Sequence, residues 1–239
     1  MSAALLRSLH VPGRPLLLPN AWDAASARLV ADAGFPVVAT SSAAVAEALG
    51  YPDGNVTPPD EVFAAVTRIT RVVSVPVTVD VEGGYGLDAS ELAERLLESG
   101  AVGCNLEDTD HRAGGLVALE AQAARLADLR KAAGDGLVIN ARVDSFLTGD
   151  QEAALPEAVE RARAYLAAGA DCVYPILVRD PAVLAAFTEA VAPAAVNATR
   201  LPNGPSRETL AELGIARISA GGGLWARARA TITQALTEF

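Results

Sequence analysis

Short apolar runs alternate with longer amphipathic stretches along the whole chain. The runs are almost continuously hydrophobic, which is typical of strands buried on both faces of a parallel sheet. Eight runs are predicted as strands: Leu16–Pro19, Val37–Thr40, Val75–Val79, Val102–Leu106, Leu137–Ala141, Cys172–Pro175, Ala194–Asn197 and Ala216–Ser219.

The intervening stretches are rich in Ala, Leu, Glu and Arg and are predicted as helices. Several end on a glycine suited to a helix C-cap, such as Gly34 and Gly100. Eight strand–helix units predict an α/β fold, a (β/α)8 TIM barrel forming a single domain over 1–239, with a doubly wound sheet as the alternative. The predicted helices are Ala24–Ala33, Asp60–Val73, Ala89–Ser99, Ala118–Ala133, Leu155–Ala168, Pro181–Ala190, Arg207–Leu213 and Leu224–Leu236.

Composition narrows the classes of partner and reaction. A net charge of -10 argues against nucleic acid and anionic membrane surfaces as partners. The N-terminal segment lacks the apolar core of a signal peptide, and no 18-residue apolar run is present, so a cytoplasmic protein is expected. Cys104 and Cys172 lie in apolar runs and are expected to be buried thiols, with a disulfide between them left open. Lys131 is the only lysine and lies in a predicted helix, which argues against Schiff-base and pyridoxal chemistry.

An acidic turn with three glycines follows the third predicted strand. Asp80 and Glu82 are two residues apart, so in an extended strand their side chains point to the same side. Two close carboxylates are costly unless a cation neutralises them, and Mg²⁺ takes oxygen ligands of this kind. A solvated acidic loop is the simpler alternative. The magnesium interpretation is favoured because Glu107 and Asp108 end the next apolar run in the same way.

Polar residues end other predicted strands as well, and in a barrel the carboxyl ends of all strands meet at one face. The fifth strand is followed by Arg142 and Asp144. Acids beside one arginine indicate a metal-bound anion, held by the cation on one side and the guanidinium on the other. An ion pair between Arg142 and Asp144 at the barrel mouth is the alternative. The segment Gly221–Gly223 is interpreted as the entry to the last helix rather than as a phosphate cup.

Five motifs, in order and at barrel spacing, carry a family resemblance over essentially the whole length of the chain. The chain resembles the isocitrate lyase/phosphoenolpyruvate mutase superfamily, whose members bind a 2-oxo acid or its enolate on Mg²⁺. The motifs are Pro19–Ala27, Thr40–Ala46 with Leu49–Asp53, Asp80–Gly86, Asn105–Asp108 and Asn140–Asp144.

The resemblance implies a role for each matching acidic residue. Asp80 would be the direct protein ligand of Mg²⁺, and Asp53, Glu82 and Glu107 would hold metal-bound waters. Asp53 is also a predicted catalytic residue.

The resemblance also implies a substrate site. Arg142 would grip the oxo acid and take part in catalysis. The substrate-binding residues predicted beside it are Ser41, Ser42, the backbone at Ala43, Asn197 and Arg200.

Three departures from the family pattern leave the reaction open. The loop Thr109–Leu116 lacks the cysteine motif of the lyases, Ile176 stands where methylisocitrate-type lyases have Glu, and Arg200 replaces another Glu. The leading prediction is a Mg²⁺-dependent lyase that cleaves a C–C bond beside a 2-oxo acid, similar to oxaloacetate decarboxylases or methylisocitrate lyases. The alternatives are P–C bond chemistry, with Arg112 and Arg200 for extra anionic charge, and a 2-oxo-acid-binding protein with little turnover.

Two further predictions concern a histidine and the last helix. His111 lies in the loop Thr109–Leu116 and is predicted as the general acid/base, with a solvated loop histidine as the alternative. The helix Leu224–Leu236 carries an apolar stripe that needs covering, which predicts a homodimer or homotetramer. Packing of that helix on its own barrel is the alternative.

Overall fold

The computed structural model describes residues 2–239, apart from the side chain of Thr148. Nine parallel strands form one sheet in the order β1-β9-β8-β7-β6-β5-β4-β3-β2. The strands are β1 Leu16–Leu18, β2 Asn20–Ala21, β3 Val38–Thr40, β4 Val77–Asp80, β5 Gly103–Leu106, β6 Val138–Val143, β7 Cys172–Pro175, β8 Ala195–Thr199 and β9 Arg217–Ser219.

The first predicted strand is divided in two. β1 pairs with β9, Leu17 opposite Ile218, whereas β2 pairs with β3, Ala21 opposite Thr40. Pro19 separates the two halves, and proline has no N–H to donate to a ladder. Because the halves pair with opposite ends of the sheet, they bring it round into a nearly closed barrel. The (β/α)8 TIM-barrel prediction is confirmed, and the doubly wound alternative is wrong.

Ten helices accompany the strands within residues 2–239. The sequence did not predict α1 or α3, and α7 begins four residues before its predicted start because Asp150 caps it. The helices are α1 Ala3–Ser8, α2 Ala24–Asp32, α3 Ser42–Leu49, α4 Pro59–Thr70, α5 Ala89–Glu98, α6 Leu119–Ala133, α7 Gln151–Ala167, α8 Pro181–Val191, α9 Arg207–Glu212 and α10 Gly223–Leu236. Two 3-10 turns cover Gly134–Gly136 and Asp144–Thr148.

Two apolar clusters leave only one end of the barrel for chemistry. The larger cluster packs the inner faces of the helices against the sheet, with Ile69, Leu96 and Leu126 fully buried. The smaller one packs Leu6 of α1 against the amino-terminal end of the barrel, around Leu18 and Val138. α1 therefore covers that end, and the carboxyl ends of the strands form the opposite, open mouth.

Both cysteines are free and buried, so a disulfide between them is excluded. Burial raises the pKa of the Cys104 and Cys172 thiols to about 12, which keeps them protonated. Within residues 2–239, no helix is long and apolar enough to cross a membrane.

Candidate active site

The last residue of β4, Asp80, is held between β3 and α3. Its backbone N–H donates to Thr40 Oγ1 at 2.9 Å, where β3 ends. Its Oδ2 atom accepts hydrogen bonds from Ser42 Oγ at 3.0 Å and from the Ser42 N–H at 3.4 Å. Ser42 opens α3, so the carboxylate faces the positive end of a helix dipole. α3 thus orients Asp80 at the barrel mouth.

Glu82 is buried where the chain turns after β4, with a left-handed φ of 48°. Its Oε2 atom accepts hydrogen bonds from the backbone N–H groups of Gly54 (2.9 Å) and Asn55. Asn55 Oδ1 in turn accepts from the Tyr85 N–H at 2.7 Å. These bonds tie the loop after α3 to the acidic turn. The second oxygen, Glu82 Oε1, is buried and has no hydrogen-bond partner among the described residues.

Asp53 lies in the same loop as Gly54 and Asn55 and remains exposed to solvent. Partial removal from water raises its pKa, and the neighbouring Asp80 carboxylate raises it further. Burial likewise raises the pKa of Glu82. The three predicted acids of this side therefore share one electrostatic environment, in which a cation would relieve their repulsion.

Glu107, directly after β5, is the most perturbed acid of the site. Its side chain is 3% exposed, and its two oxygens contact His111 Nε2 and Arg142 Nη1. Burial raises the pKa of Glu107 to about 9; the Arg142 guanidinium lowers it, and the Asp144, Asp80 and Glu82 carboxylates raise it. A cation bound beside this carboxyl would favour its ionised form.

Arg142, near the end of β6, has a fixed orientation. Its Nε donates to Asp144 Oδ1 at 2.7 Å and its Nη2 to Asp144 Oδ2 at 2.8 Å. Such a two-point contact defines the plane of a guanidinium as well as its position. Thr109 Oγ1 donates to the same Asp144 carboxylate from the loop after β5. The ion pair that the sequence offered as the alternative is present, and it holds Arg142 against Glu107.

The structure places His111 over the mouth. Its side chain is 22% exposed and contacts Glu107. A Cβ added at Gly83 would lie 3.5 Å from His111 Cδ2, and one at Gly54 would lie 3.9 Å from its Nδ1. The imidazole therefore covers two glycines of the neighbouring loops. The residue as a whole is exposed, so the general acid/base role and the solvated loop histidine both stay predictions.

The remaining predicted residues lie in two places. Ser41, Ser42 and Ala43 form the first turn of α3 beside Asp80. Asn197 is buried in β8 and donates to Ser219 Oγ at 3.2 Å. Arg200 follows β8 and is exposed, and no ion pair joins its guanidinium to another residue of the described chain. The structure therefore groups the α3 residues with the acids but leaves Arg200 apart from them.

Several contacts of the site were not predicted from the sequence. Thr40 and Asn55 position Asp80 and the acidic turn, and Asp108 binds the backbone of Asp144. Arg161 and Tyr165 of α7 contact Asp108 from outside the barrel. One signal was available, because Arg161 lies between Ala158 and Ala162 on the buried side of α7, where an unpaired charge would be costly.

The donor set suits a hard divalent cation bound largely through water. Within the described part of the chain, no three His, Cys, Asp or Glu side chains converge closely enough to ligate one ion together. Glu82 nevertheless has an unpartnered buried oxygen, and Glu107 has a pKa of about 9. Oxygen donors of this kind fit Mg²⁺, which keeps several of its waters when it binds to proteins.

Known proteins share both this fold and much of this sequence. The model of a family described as phosphoenolpyruvate phosphomutase matches residues 6–239. A proposed phosphonomutase of Burkholderia cenocepacia J2315 has 42% identity and a TM-score of 0.93, with 99% of each chain covered. An oxaloacetate acetylhydrolase solved with its product oxalate has 25% identity and a TM-score of 0.87, covering 98% of this chain and 85% of that one. The 2-methylisocitrate lyase of Escherichia coli (strain K12) is 31% identical over 209 residues, which is 77% of this chain and 68% of that protein.

Proposed function

Because this chain belongs to the phosphoenolpyruvate phosphomutase family, in the isocitrate lyase/phosphoenolpyruvate mutase superfamily, we propose that it is a Mg²⁺-dependent lyase. It would cleave a C–C bond beside a 2-oxo acid. One observation carries the proposal: Glu107, Asp80 and Arg142 converge at the barrel mouth, with Arg142 held in a fixed plane by Asp144. An anionic ligand chelating a cation would meet complementary charge on both sides.

The metal half of the site would involve four acids. Asp80 would bind Mg²⁺ directly, while Asp53, Glu82 and Glu107 would hold it through water. The unpartnered Oε1 of Glu82 supports its share of this role. Bound Mg²⁺ supplies a Lewis acid that stabilises negative charge on the oxygens of the oxo acid.

The anion half would position the substrate. The carboxylate would lie at the amino-terminal turn of α3, where Ser41, Ser42 and the backbone N–H of Ala43 can donate hydrogen bonds. Arg142 would grip the oxo acid from the other side, and its contact with Asp144 reduces the entropy lost on binding. His111, which covers the mouth, would transfer the proton at C3 through Nε2.

The β7 side of the mouth supports an oxaloacetate-like substrate. Ile176 is buried there, and Tyr174 shares a 2.7 Å hydrogen bond with Thr199 Oγ1. This wall offers hydroxyl groups rather than the acid that methylisocitrate-type lyases have at the position of Ile176. A decarboxylation needs no acid/base for a departing aldehyde, so this difference affects it least.

The decisive experiment measures pyruvate release from oxaloacetate, 2-methylisocitrate and phosphonopyruvate, each with and without Mg²⁺. The proposal predicts Mg²⁺-dependent pyruvate from oxaloacetate above the rate of Mg²⁺ alone, with inhibition by oxalate. An Arg142→Ala variant is expected to lose both activity and inhibition. Equal rates in wild type and Arg142→Ala would contradict the proposal.

A second candidate, P–C bond chemistry, rests on the similarity to the proposed phosphonomutase and on two arginines that could hold a phosphonate, Arg112 and Arg200. Phosphate and pyruvate released from phosphonopyruvate alone would favour it. Oxalate binding without turnover of any of the three acids would favour a 2-oxo-acid-binding protein.

The proposed assembly is a cytoplasmic homodimer or homotetramer that acts on a small 2-oxo acid, without nucleic acid or membrane as a partner. No residue of α10 is buried, and Ile232 and Leu236 are 56% and 66% exposed. Trp225 packs on Trp22 with ring centroids 4.9 Å apart, and Arg229 pairs with Glu47 of α3 at 2.6 Å, so the first half of the helix is held on its own barrel. Light scattering at micromolar concentration tests this, and a monomer would refute it.

A further inference from the structure

A buried cluster on the outer side of the mouth takes no part in the proposed chemistry. It consists of Asp108, directly after β5, with Arg161 and Tyr165 of α7, and is here named the α7 clamp. Asp108 and Tyr165 are 0% exposed and Arg161 is 7% exposed. Keeping a carboxylate and a guanidinium out of water costs free energy unless their hydrogen bonds are satisfied. The hydrogen bonds that satisfy the α7 clamp therefore indicate its structural role.

Asp108 lies between α7 and the end of β6. Its Oδ2 atom accepts hydrogen bonds from Tyr165 OH at 2.6 Å and from Arg161 Nη1 at 3.2 Å. Its Oδ1 atom accepts from the backbone N–H of Asp144 at 2.8 Å. One carboxylate thus connects α7 to the residue whose own carboxylate holds Arg142 in two places.

The α7 clamp also fixes both ends of the loop that carries His111. The backbone N–H of Val117 donates to Asp108 O at 2.8 Å, and Arg161 Nη1 donates to Val117 O at 2.9 Å. A β-bridge joins Thr109 to Leu116 between these bonds. Residues 110–115 lie between these bonds, and Gly114 and Gly115 there both have a left-handed φ.

We infer that Asp108, Arg161 and Tyr165 are positioning residues that set the orientation of Arg142 through the backbone of Asp144. This inference rests on the proposed function for the role of Arg142 toward the ligand. Among the described residues, Tyr165 and Arg161 bond to Asp108 and to the Val117 carbonyl rather than to residues proposed to hold the ligand, so an effect on binding would pass through Asp108 and Asp144.

The test compares Tyr165→Phe and Arg161→Gln with the wild-type protein. The matched control is Arg163→Gln, because Arg163 lies on the same helix, is exposed and donates only to Ala190 O. The first measurement is the hydrogen-exchange rate of the Asp144 amide, which needs no ligand. The second is calorimetry of Mg²⁺ alone and of oxalate at saturating Mg²⁺.

For Tyr165→Phe we expect about tenfold faster exchange at Asp144 and about tenfold weaker oxalate binding, the usual scale for a group that orients a ligand-binding residue. Arg161→Gln should act in the same direction, and Tyr165→Phe alone decides if Arg161→Gln does not fold. Mg²⁺ affinity should stay within about twofold, and Arg163→Gln should match the wild type in every measurement. A merely structural role would lower the melting temperature without changing Asp144 exchange or oxalate affinity.

Wild-type exchange at Asp144 in both variants would overturn the inference, whatever the ligand data. Faster exchange with unchanged oxalate affinity would also overturn it, because Arg142 would then not depend on the α7 clamp. If the wild-type protein bound no oxalate, the proposed function would fail, and the Asp144 exchange rates would still decide whether the α7 clamp holds this backbone.

Discussion

The two sides of the barrel mouth differ in how firmly their charged groups are held. On the β4–β6 side, Asp80, Glu107 and Arg142 each have at least two partners. On the β7–β9 side, Arg200 is exposed and Tyr174 and Thr199 bind each other. A set of charges held in fixed positions suits the part of a ligand shared by many substrates, whereas an exposed charge such as Arg200 suits the part that varies. Under the proposed function, metal and oxo-acid binding would belong to the first side and substrate choice to the second.

The largest expected effect comes from removing Asp80, the proposed direct ligand of Mg²⁺. Asp80→Ala should abolish Mg²⁺-dependent oxalate binding and turnover, because it removes the only direct protein ligand proposed for the ion. Calorimetry of oxalate with and without Mg²⁺ measures this. Asp128→Ala, which changes an exposed aspartate of α6, is the matched control and should behave like the wild type. Unchanged oxalate affinity in Asp80→Ala would contradict the assignment of Asp80 as the Mg²⁺ ligand.

The next largest effect is expected from substituting His111, whose side chain covers the barrel mouth. His111→Ala should lower turnover about 100-fold, the usual scale for a general acid/base. Oxalate affinity should barely change, because Arg142 and Asp80 do not depend on the imidazole. Steady-state rates on the substrate identified by the pyruvate assay give the answer. Turnover at the wild-type rate would mean that His111 only covers the mouth.

The pH dependence of metal binding tests the β4–β6 side without a mutation. Glu107 has an ordinary pKa of 4.5 in the unfolded chain and about 9 in the folded chain without metal. Its folded pKa is raised, so the metal-free protein loses stability as pH rises from about 4.5 toward 9. Mg²⁺ binding favours the ionised form, so Mg²⁺ affinity should rise by up to about tenfold per pH unit between pH 6 and 8. Mg²⁺ titrations at three pH values would show it, and a flat dependence would contradict it.

The smallest effect on ligand binding is expected from a substitution on the β7–β9 side. Arg200→Ala should leave the affinity for Mg²⁺–oxalate within about twofold, since an exposed and unpaired charge contributes little. The turnover of phosphonopyruvate by the same variant distinguishes C–C cleavage from P–C cleavage. A large loss of phosphonopyruvate turnover, with oxalate binding intact, would favour P–C chemistry. It would also mean that Arg200, on the β7–β9 side, binds the substrate through its charge.

The sequence predicted the barrel well because its signals are local. Near-continuous apolar runs and C-cap glycines define strand and helix positions before any packing is known. α1 and α3 were missed for different reasons. α1 is six residues long and is stabilised by packing on the barrel end, and α3 was taken as part of the strand-end motif that it follows.

Site residues were predicted where chemistry and strand ends coincide, as at Asp80, Glu107 and Arg142. The supporting contacts were harder because they join residues far apart in sequence. Asp108 and Tyr165 are 57 positions apart, and neither side chain alone indicates the other. The position of His111 over Gly54 and Gly83 likewise depends on how three loops pack together, which no local pattern encodes.

The packing of α1 has a consequence for how ligands come and go. Leu6 is fully buried, and a Cβ added at Gly103 of β5 would lie only 2.8 Å from its Cδ2 atom, so this end of the barrel is sealed without spare space. Under the proposed function, ion, substrate and product would share a single opening, the one beneath residues 110–115. Ligand entry and product release would compete for this opening. The rate at which residues 110–115 open would then set an upper limit on turnover, however fast the bond is broken.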